Sequence, residues 1–173
     1  SPLDGLVNSH NTTQAAMAKV IGLEPIAQAA EDIGFHQASK QKMNMHLKDD
    51  TANGGAYQAP LIIGVTVSAA PLTMANVYAT IAAKGVECTP IAIKKVTDAT
   101  GAELDVPKAN CHQAVDPDIA ETVAYAMNQG VVRPNGQART AQLANNRKTF
   151  AKTGTNENTY MLTGGFVPQI AAF

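Results

Sequence analysis

The sequence predicts an α+β fold in which helices pack on an antiparallel sheet. Three observations carry that expectation: helical patterns outnumber strand patterns, the strand patterns cluster late in the chain, and nothing alternates as strand, helix, strand. With 173 residues, 45% hydrophobic and 16% charged, the chain suits one domain. A domain of this size buries roughly 70% of the surface its unfolded chain exposes, enough for a sizeable core.

The elements follow in order. From Asn11 the residues Ala15, Ala16, Met17, Ala18, Val20 and Ile21 fit a helix, and Gly22 offers a left-handed stop. Pro25 opens a second helix with Ile26, Ala29, Ala30 and Ile33 at helical spacing, Glu31 and Asp32 toward water, and Gly34 closing it. Residues 36–58 carry Lys40, Lys42, Lys48, Asp49, Asp50 and Asn53-Gly54-Gly55 with few aliphatics, and read as a polar surface excursion. Ser68 to Pro71 leads into a helix with Leu72, Ala75, Ala79, Ala82 and Ala83 on one face, ending at Gly85. Ile91, Ile93 and Val96, then the turn Asp98 to Gly101, then Glu103 to Val106, read as a hairpin. Asp116-Pro117 caps a helix with Ile119, Val123, Ala126 and Met127 inward, ending at Gly130. Gly136 to Asn145 is expected to be one more helix. Thr149 to Lys152 and Tyr160 to Ala172, the latter broken at Pro168, are expected strands.

Composition excludes some classes of function. The 13 Lys+Arg are balanced by 14 Asp+Glu, and no basic run exceeds a pair, so there is no electrostatic footprint for nucleic acid or an anionic membrane surface. The apolar stretch from Ala59 to Leu72 is interrupted by Pro60, Gly64, Thr66, Ser68 and Pro71 and is too short to cross a bilayer as a helix. The start, Ser-Pro-Leu-Asp-Gly, does not resemble a signal peptide. A start without Met and an apolar end, Ile-Ala-Ala-Phe, suggest a segment excised from something longer.

Cys88 and Cys111 are too far apart for a CxxC redox or zinc pair, and His112 alone leaves a metal site short of ligands. They read as partners for each other, flanking the hairpin where a disulfide would pin its base, which would place folding in an oxidising compartment. Two buried free thiols are the alternative. Met43, Met45 and His46 lack a fourth partner and read as a half-buried edge rather than a metal site. No cofactor is expected.

Two short motifs carry chemistry. On the late strand stands Lys152-Thr153-Gly154-Thr155, and at the start of the first expected helix Ser9-His10-Asn11. A strand of the first kind suits a peptide lying antiparallel beside it: Gly154 admits close backbone approach, the threonine hydroxyls bind a carboxylate, and the ammonium supplies positive potential. Ser9 and Asn11 are also ordinary helix-capping residues, and Lys152 to Thr155 an ordinary exposed strand ending in a turn.

Taken together and in this order, the motifs resemble the active-site signatures of the penicillin-binding protein transpeptidases, especially the bifunctional class A enzymes, with Ser9-His10-Asn11 as SxN and Lys152-Thr153-Gly154 as KTG. The likeness extends to Pro71 to Gly85, which is similar to the family's "PLEMANAYATFANGG" helix. It also takes in Ile91 to Gly101, similar to its "I..V.D..G" hairpin, and Thr163 to Pro168, similar to "WFVGYTP". The cysteine pair is similar to that of actinobacterial members, which favours a disulfide.

The sequence departs from the family pattern in places. The SxxK signature that bears the nucleophile lies upstream of SxN in the family, and only eight residues precede Ser9 here. A literal match, Ser39-Lys40-Gln41-Lys42, lies downstream in the polar excursion, where no apolar helix would bury the lysine, and reads as coincidence. Ala151 stands where a glycine commonly precedes KTG, and the chain has no tryptophan.

The resemblance implies a partial serine DD-peptidase/β-lactamase-like transpeptidase fold, with residues 1–173 as the C-terminal part of the domain. The implied activity is D,D-transpeptidation or carboxypeptidation of peptidoglycan stem peptides through an acyl-serine that β-lactams also form. It assigns Ser9 and Lys152 to proton relay, Asn11 to the substrate amide, Thr153 and Thr155 to the terminal carboxylate, and the Thr155 N–H to the oxyanion. It implies an extracytoplasmic location, with membrane anchoring through parts of a longer parent, and a piece inactive by itself. Unpaired strand edges in such a piece would favour a homodimer or a swapped assembly. A non-catalytic module binding peptide or cell wall, and a serine β-lactamase, are the alternative readings.

Overall fold

The computed structural model describes residues 1–38, 47–49, 57, 59–64, 67–157 and 159–173. Ser39 to Lys42, the downstream SxxK match, and Met43, Met45 and His46 lie outside the described residues.

The chain opens on a short helix that the sequence reading did not expect, α1 (Pro2–Val7). Its start is well built: the Ser1 hydroxyl accepts from the Asp4 N–H, Pro2 supplies the first-turn φ, and Asp4 sits at the positive helix end. Helix α2 (Asn11–Ile21) and helix α3 (Leu23–Asp32) follow, with Gly22 at φ 91° and ψ 156° serving as the cap of both. That conformation is open only to glycine, and it is extended in ψ rather than the left-handed stop expected. Glu31 is not simply turned to water: its carboxylate accepts the Leu47 N–H at 2.7 Å, and Leu47 is buried within the excursion expected to be polar.

Helix α4 (Pro71–Ala82) begins at the expected proline. Its buried residues are Thr73, Val77 and Thr80, whereas Leu72, expected inward, is 65% exposed and Ala83 is exposed too. Leu72, Ala75, Ala79 and Ala82 share one side of the helix, whereas the buried side carries two threonines with Val77, so hydropathy periodicity selects the wrong face. Thr80 is tolerated inside because its hydroxyl donates to the Asn76 carbonyl one turn back.

Helix α5 (Pro117–Val132) is capped by the Asp116 carboxylate, which accepts the Asp118 N–H at 2.8 Å. It buries Ala120, Met127, Gly130 and Val131, while Ile119 is 57% exposed, so the expected face is rotated. Between α4 and α5 stands a limb of four two-residue strands. β1 (Val86–Glu87) pairs with β4 (His112–Gln113), and β2 (Val96–Thr97) pairs with β3 (Glu103–Leu104), both antiparallel. The turn joining β2 to β3 is closed by Asp98, whose carboxylate accepts the N–H groups of Thr100 and Ala102. Cys88 and Cys111 are disulfide-bonded at the step between the two ladders.

No α-helix forms over Gly136 to Asn145. Two short 3₁₀ turns, Arg139–Ala141 and Ala144–Asn146, stand there instead. A Cβ on Gly136 would lie 2.1 Å from the Gly130 carbonyl, and Asn145 and Asn146 hold positive φ, so the segment is a folded-back turn.

The last strands form one antiparallel sheet, β5 (Phe150–Asn156), β6 (Tyr160–Val167) and β7 (Ile170–Ala172), in that order. β5 runs through Thr-Gly-Thr rather than turning there. The core joins sheet to helices: Met127, Phe150 and Phe166 cluster with Tyr78 and Ile81 against them, and the Phe150 and Phe166 rings stack 4.5 Å apart. A second cluster sets Ala151 against Val131 and Ala138.

Candidate active site

Ser9 stands on the turn between α1 and α2. Its φ is 57°, its N–H donates to the Leu6 carbonyl at 3.2 Å, and the His10 N–H donates to the Gly5 carbonyl at 2.8 Å. This is a Schellman end to α1, with a serine where glycine is usual. A side chain in that conformation costs about 1–2 kcal/mol, so the posture is imposed by the surroundings. The tight passage also needs Gly5, since a Cβ there would meet the Thr13 side chain at 2.4 Å.

Lys152 arrives from the other end of the chain. It follows the buried Phe150 and Ala151 on β5, so the core fixes the strand just before the motif. Its ammonium donates to Ser9 Oγ at 2.8 Å, across a sequence separation of 143, and to the Thr153 carbonyl at 2.5 Å. Burial pushes the Lys152 pKa below the ordinary lysine value, because desolvation penalises the charged form. The result is a serine hydroxyl against an amine whose proton is more easily given up than that of a solvated lysine.

The other expected site residues are placed as follows. Asn11 is the first residue of α2, two after Ser9, and its exposed amide has no hydrogen-bond partner among the described residues. Thr153 Oγ1 donates weakly to the Gln137 carbonyl at 3.5 Å. Gly154 and Thr155 are exposed, and a Cβ built on Gly154 would meet nothing within 4 Å. Among the described residues no strand pairs the outer edge of β5, which leaves the strand that carries Lys152 at the edge of the sheet. Cys88 and Cys111, in the limb, pair with each other. Among the described residues no three His, Cys, Asp or Glu side chains gather as a metal site.

Sequence reasoning missed the glycines behind the lysine. Gly164 pairs with Lys152 across the sheet, and a Cβ there would lie 2.1 Å from the Tyr78 ring; one on Gly165 would lie 2.2 Å from the Phe150 carbonyl. They let α4 seat its tyrosine directly against β6. The adjacent pair in Thr163-Gly164-Gly165-Phe166 is the signal, since paired glycines inside a strand mark close backbone approach. An apolar groove of about 530 Å³ runs along α2, lined by Pro2, Thr13, Ala16, Met17 and Val20 among others. It includes neither Ser9 nor Lys152, and the chemistry assigns the site to their contact instead.

Comparison with known proteins gives a consistent result. The family model described as penicillin binding protein transpeptidase domain matches residues 1–166. Penicillin-binding protein 1A of Mycolicibacterium smegmatis is 31% identical over 160 residues, covering 87% of this chain and 19% of that protein. Penicillin-binding protein 1A of Mycobacterium tuberculosis is 29% identical over 136 residues, covering 79% of this chain and 16% of that protein. The chain thus spans under a fifth of the length of these relatives. The M. tuberculosis PonA1 protein in complex with penicillin V superposes with a TM-score of 0.80 at 25% identity, over 98% of this chain and 45% of that one. Penicillin binding protein 3 from the same organism, complexed with aztreonam, has the same fold at a TM-score of 0.75 and 20% identity, over 95% of this chain and 41% of that one.

Proposed function

The chain belongs to the penicillin-binding protein transpeptidase family, and from that premise we propose that residues 1–173 are the C-terminal part of a D,D-transpeptidase domain that cross-links peptidoglycan stem peptides and is acylated by β-lactams. The observation that carries the reading is the 2.8 Å bond from Lys152 Nζ to Ser9 Oγ. It joins the two motif segments into one proton path.

In this reading the nucleophilic serine and its lysine belong to an SxxK segment upstream of Ser9. That serine's oxygen attacks the carbonyl carbon of the penultimate D-alanine, and the C–N bond to the terminal D-alanine breaks. Ser9, with Lys152 behind it, takes the nucleophile's proton and delivers it to the departing nitrogen. An amine of a neighbouring stem peptide then attacks the acyl carbon, and its proton returns along the same path to the serine oxygen. The Lys152 ammonium, Thr153 and Thr155 hold the terminal carboxylate, Asn11 binds the substrate amide, and the Thr155 N–H is one oxyanion donor. The open edge of β5 lets the substrate backbone pair as an added strand.

The Cys88–Cys111 disulfide suits an oxidising, extracytoplasmic compartment. Among the described residues no helix is long and apolar enough to cross a membrane, so anchoring would belong to other parts of a longer protein.

The test is intact mass, unreduced, before and after excess benzylpenicillin, on this chain and on a longer protein that supplies SxxK upstream. We expect no adduct on the chain and a persistent one on the longer protein. An adduct on the chain alone would assign the nucleophile to a serine within it, Ser39 first. No adduct on the longer protein would favour a non-catalytic binding module, and rapid return to the free mass a β-lactamase.

A further inference from the structure

Ser9 holds an uncommon left-handed backbone with a side chain attached, a strained posture that a contact from outside its own turn can help to hold. The turn after α5 supplies such contacts. The Asn135 side-chain amide donates to Asn8 Oδ1 at 2.9 Å, and the Asn8 amide in turn donates to the Asp4 carbonyl at 2.9 Å. Both ends of the Asn8 amide are therefore engaged, which fixes its orientation. Beside this pair the Gln137 N–H donates to the Val7 carbonyl at 3.0 Å, and Arg133 Nη1 bonds Asp4 Oδ1 at 3.1 Å. Three contacts, from Arg133, Asn135 and Gln137, thus tie the last turn of α1 and its cap Asn8 to residues 133–137, more than a hundred positions away in sequence.

The brace is itself rigid. The Gly136 N–H donates to the Arg133 carbonyl at 3.0 Å, and the Ala138 N–H to the Gly130 carbonyl at 3.1 Å, closing the turn on the end of α5. Gly130 and Ala138 pack against Ala151, the residue before Lys152, and the Gln137 carbonyl accepts from Thr153. One folded turn therefore contacts both the segment that carries Ser9 and the strand that carries Lys152.

We propose that Asn135 is a positioning residue: by clamping Asn8 it holds the following residue, Ser9, in the left-handed posture that delivers the serine hydroxyl to Lys152. Its place in catalysis rests on the transpeptidase reading above, but the posture itself does not. Asn135 touches no reacting atom; it acts through Asn8.

The measurement is the 13Cα and 13Cβ chemical shifts of Ser9, which report its backbone conformation, in this chain and in Asn135→Ala, Asn8→Ala and the double variant. The amide fingerprint of residues 150–167 serves as the control for folding. We expect each single substitution to move the Ser9 shifts most of the way to coil values with the control unchanged, and the double variant to move them no further than either single one. Ser9 shifts that stay at their original values in folded single variants overturn the proposal, as does a double variant that moves them by the sum of the two. Asn8→Ala reaches the pair from the other side, so it decides the matter should Asn135→Ala fail to fold. No β-lactam or substrate enters this measurement, so its failure is distinct from failure of the transpeptidase reading.

Discussion

Two regions of this molecule are held together by different means. Around Lys152 and Ser9, segments from opposite ends of the sequence meet because the strand next to the lysine is anchored in the core by Phe150, Phe166 and Met127. The limb of residues 86–113 has almost no core. Its ladders are two residues long, Ile93 and Leu104 lie exposed, and what fastens it is the Cys88–Cys111 bond with the Lys95–Glu103 ion pair and the Asp98 turn. Its ties to the body include Glu87, which accepts from Asn76 on α4 at 3.0 Å, and Gln113, which donates to the Lys84 carbonyl at 2.8 Å. Where apolar surface is available, packing can position chemistry across the whole chain. Where it is not, a covalent link takes over.

The sharpest way to break that contrast is to remove one cation from each region. Lys152→Ala, in a longer protein carrying the SxxK segment, should slow acylation by benzylpenicillin about 10²–10⁴-fold, the usual range for a lost proton-transfer group. Lys95→Ala, on the limb, should leave the rate unchanged; equal rates for both variants would remove Lys152 from the mechanism. Next in size is the core. Phe166→Ala deletes one ring of the stacked pair and should destabilise the chain by about 3–5 kcal/mol in urea unfolding. Ile93→Ala, at an exposed limb position, should stay within about 0.5 kcal/mol of the parent. A comparable loss for the two would mean the limb has a core of its own.

Reduction of Cys88–Cys111 should cost about 3 kcal/mol, the order expected for a loop of this length. Its signature should be local. Hydrogen exchange should rise across residues 86–113 and stay slow at Phe150 to Thr153, because the core that carries the site lacks any covalent dependence on the limb. Exchange that accelerates equally in both regions would show the two to be one cooperative unit.

How far the sequence could be read follows the same division. Features set by local chemistry were legible: the Pro71 and Asp116-Pro117 helix starts, the Asp98 turn and the Pro168 break, although α5 runs through Gly130, its expected end, to Val132. The SxN and KTG residues could be named because each motif is a few contiguous side chains. What was lost depends on long-range packing. The covered faces of α4 and α5 differ from the expected ones, since what they bury includes Thr73, Thr80 and Gly130, residues that hydropathy does not mark as inward. Gly136 to Asn145 was read as a helix because its composition permits one, whereas the turn is imposed by the fold-back onto Gly130. Helix α1 went unread despite Ser1, Pro2 and Asp4, because six residues give too short a pattern. The conformation of Ser9 carries no sequence signal: a serine at a helix end predicts a cap, and here it occupies a glycine's place.

That last point yields the smallest effect and the most discriminating pair of variants. Ser9→Gly removes the hydroxyl and also the side chain that is strained at φ 57°. Ser9→Ala removes the hydroxyl and keeps the strain. Both should lose acylation in the longer protein, because neither leaves an oxygen against Lys152. Their stabilities should diverge, with the glycine variant more stable than the alanine variant by about 1 kcal/mol in chemical unfolding, since only glycine adopts this backbone without steric cost. The relay would then be kept at the expense of stability, as expected where a strained residue serves a site. Equal stability of the two variants would mean that the left-handed turn imposes no strain on the side chain, and that Ser9 needs no brace to hold it there.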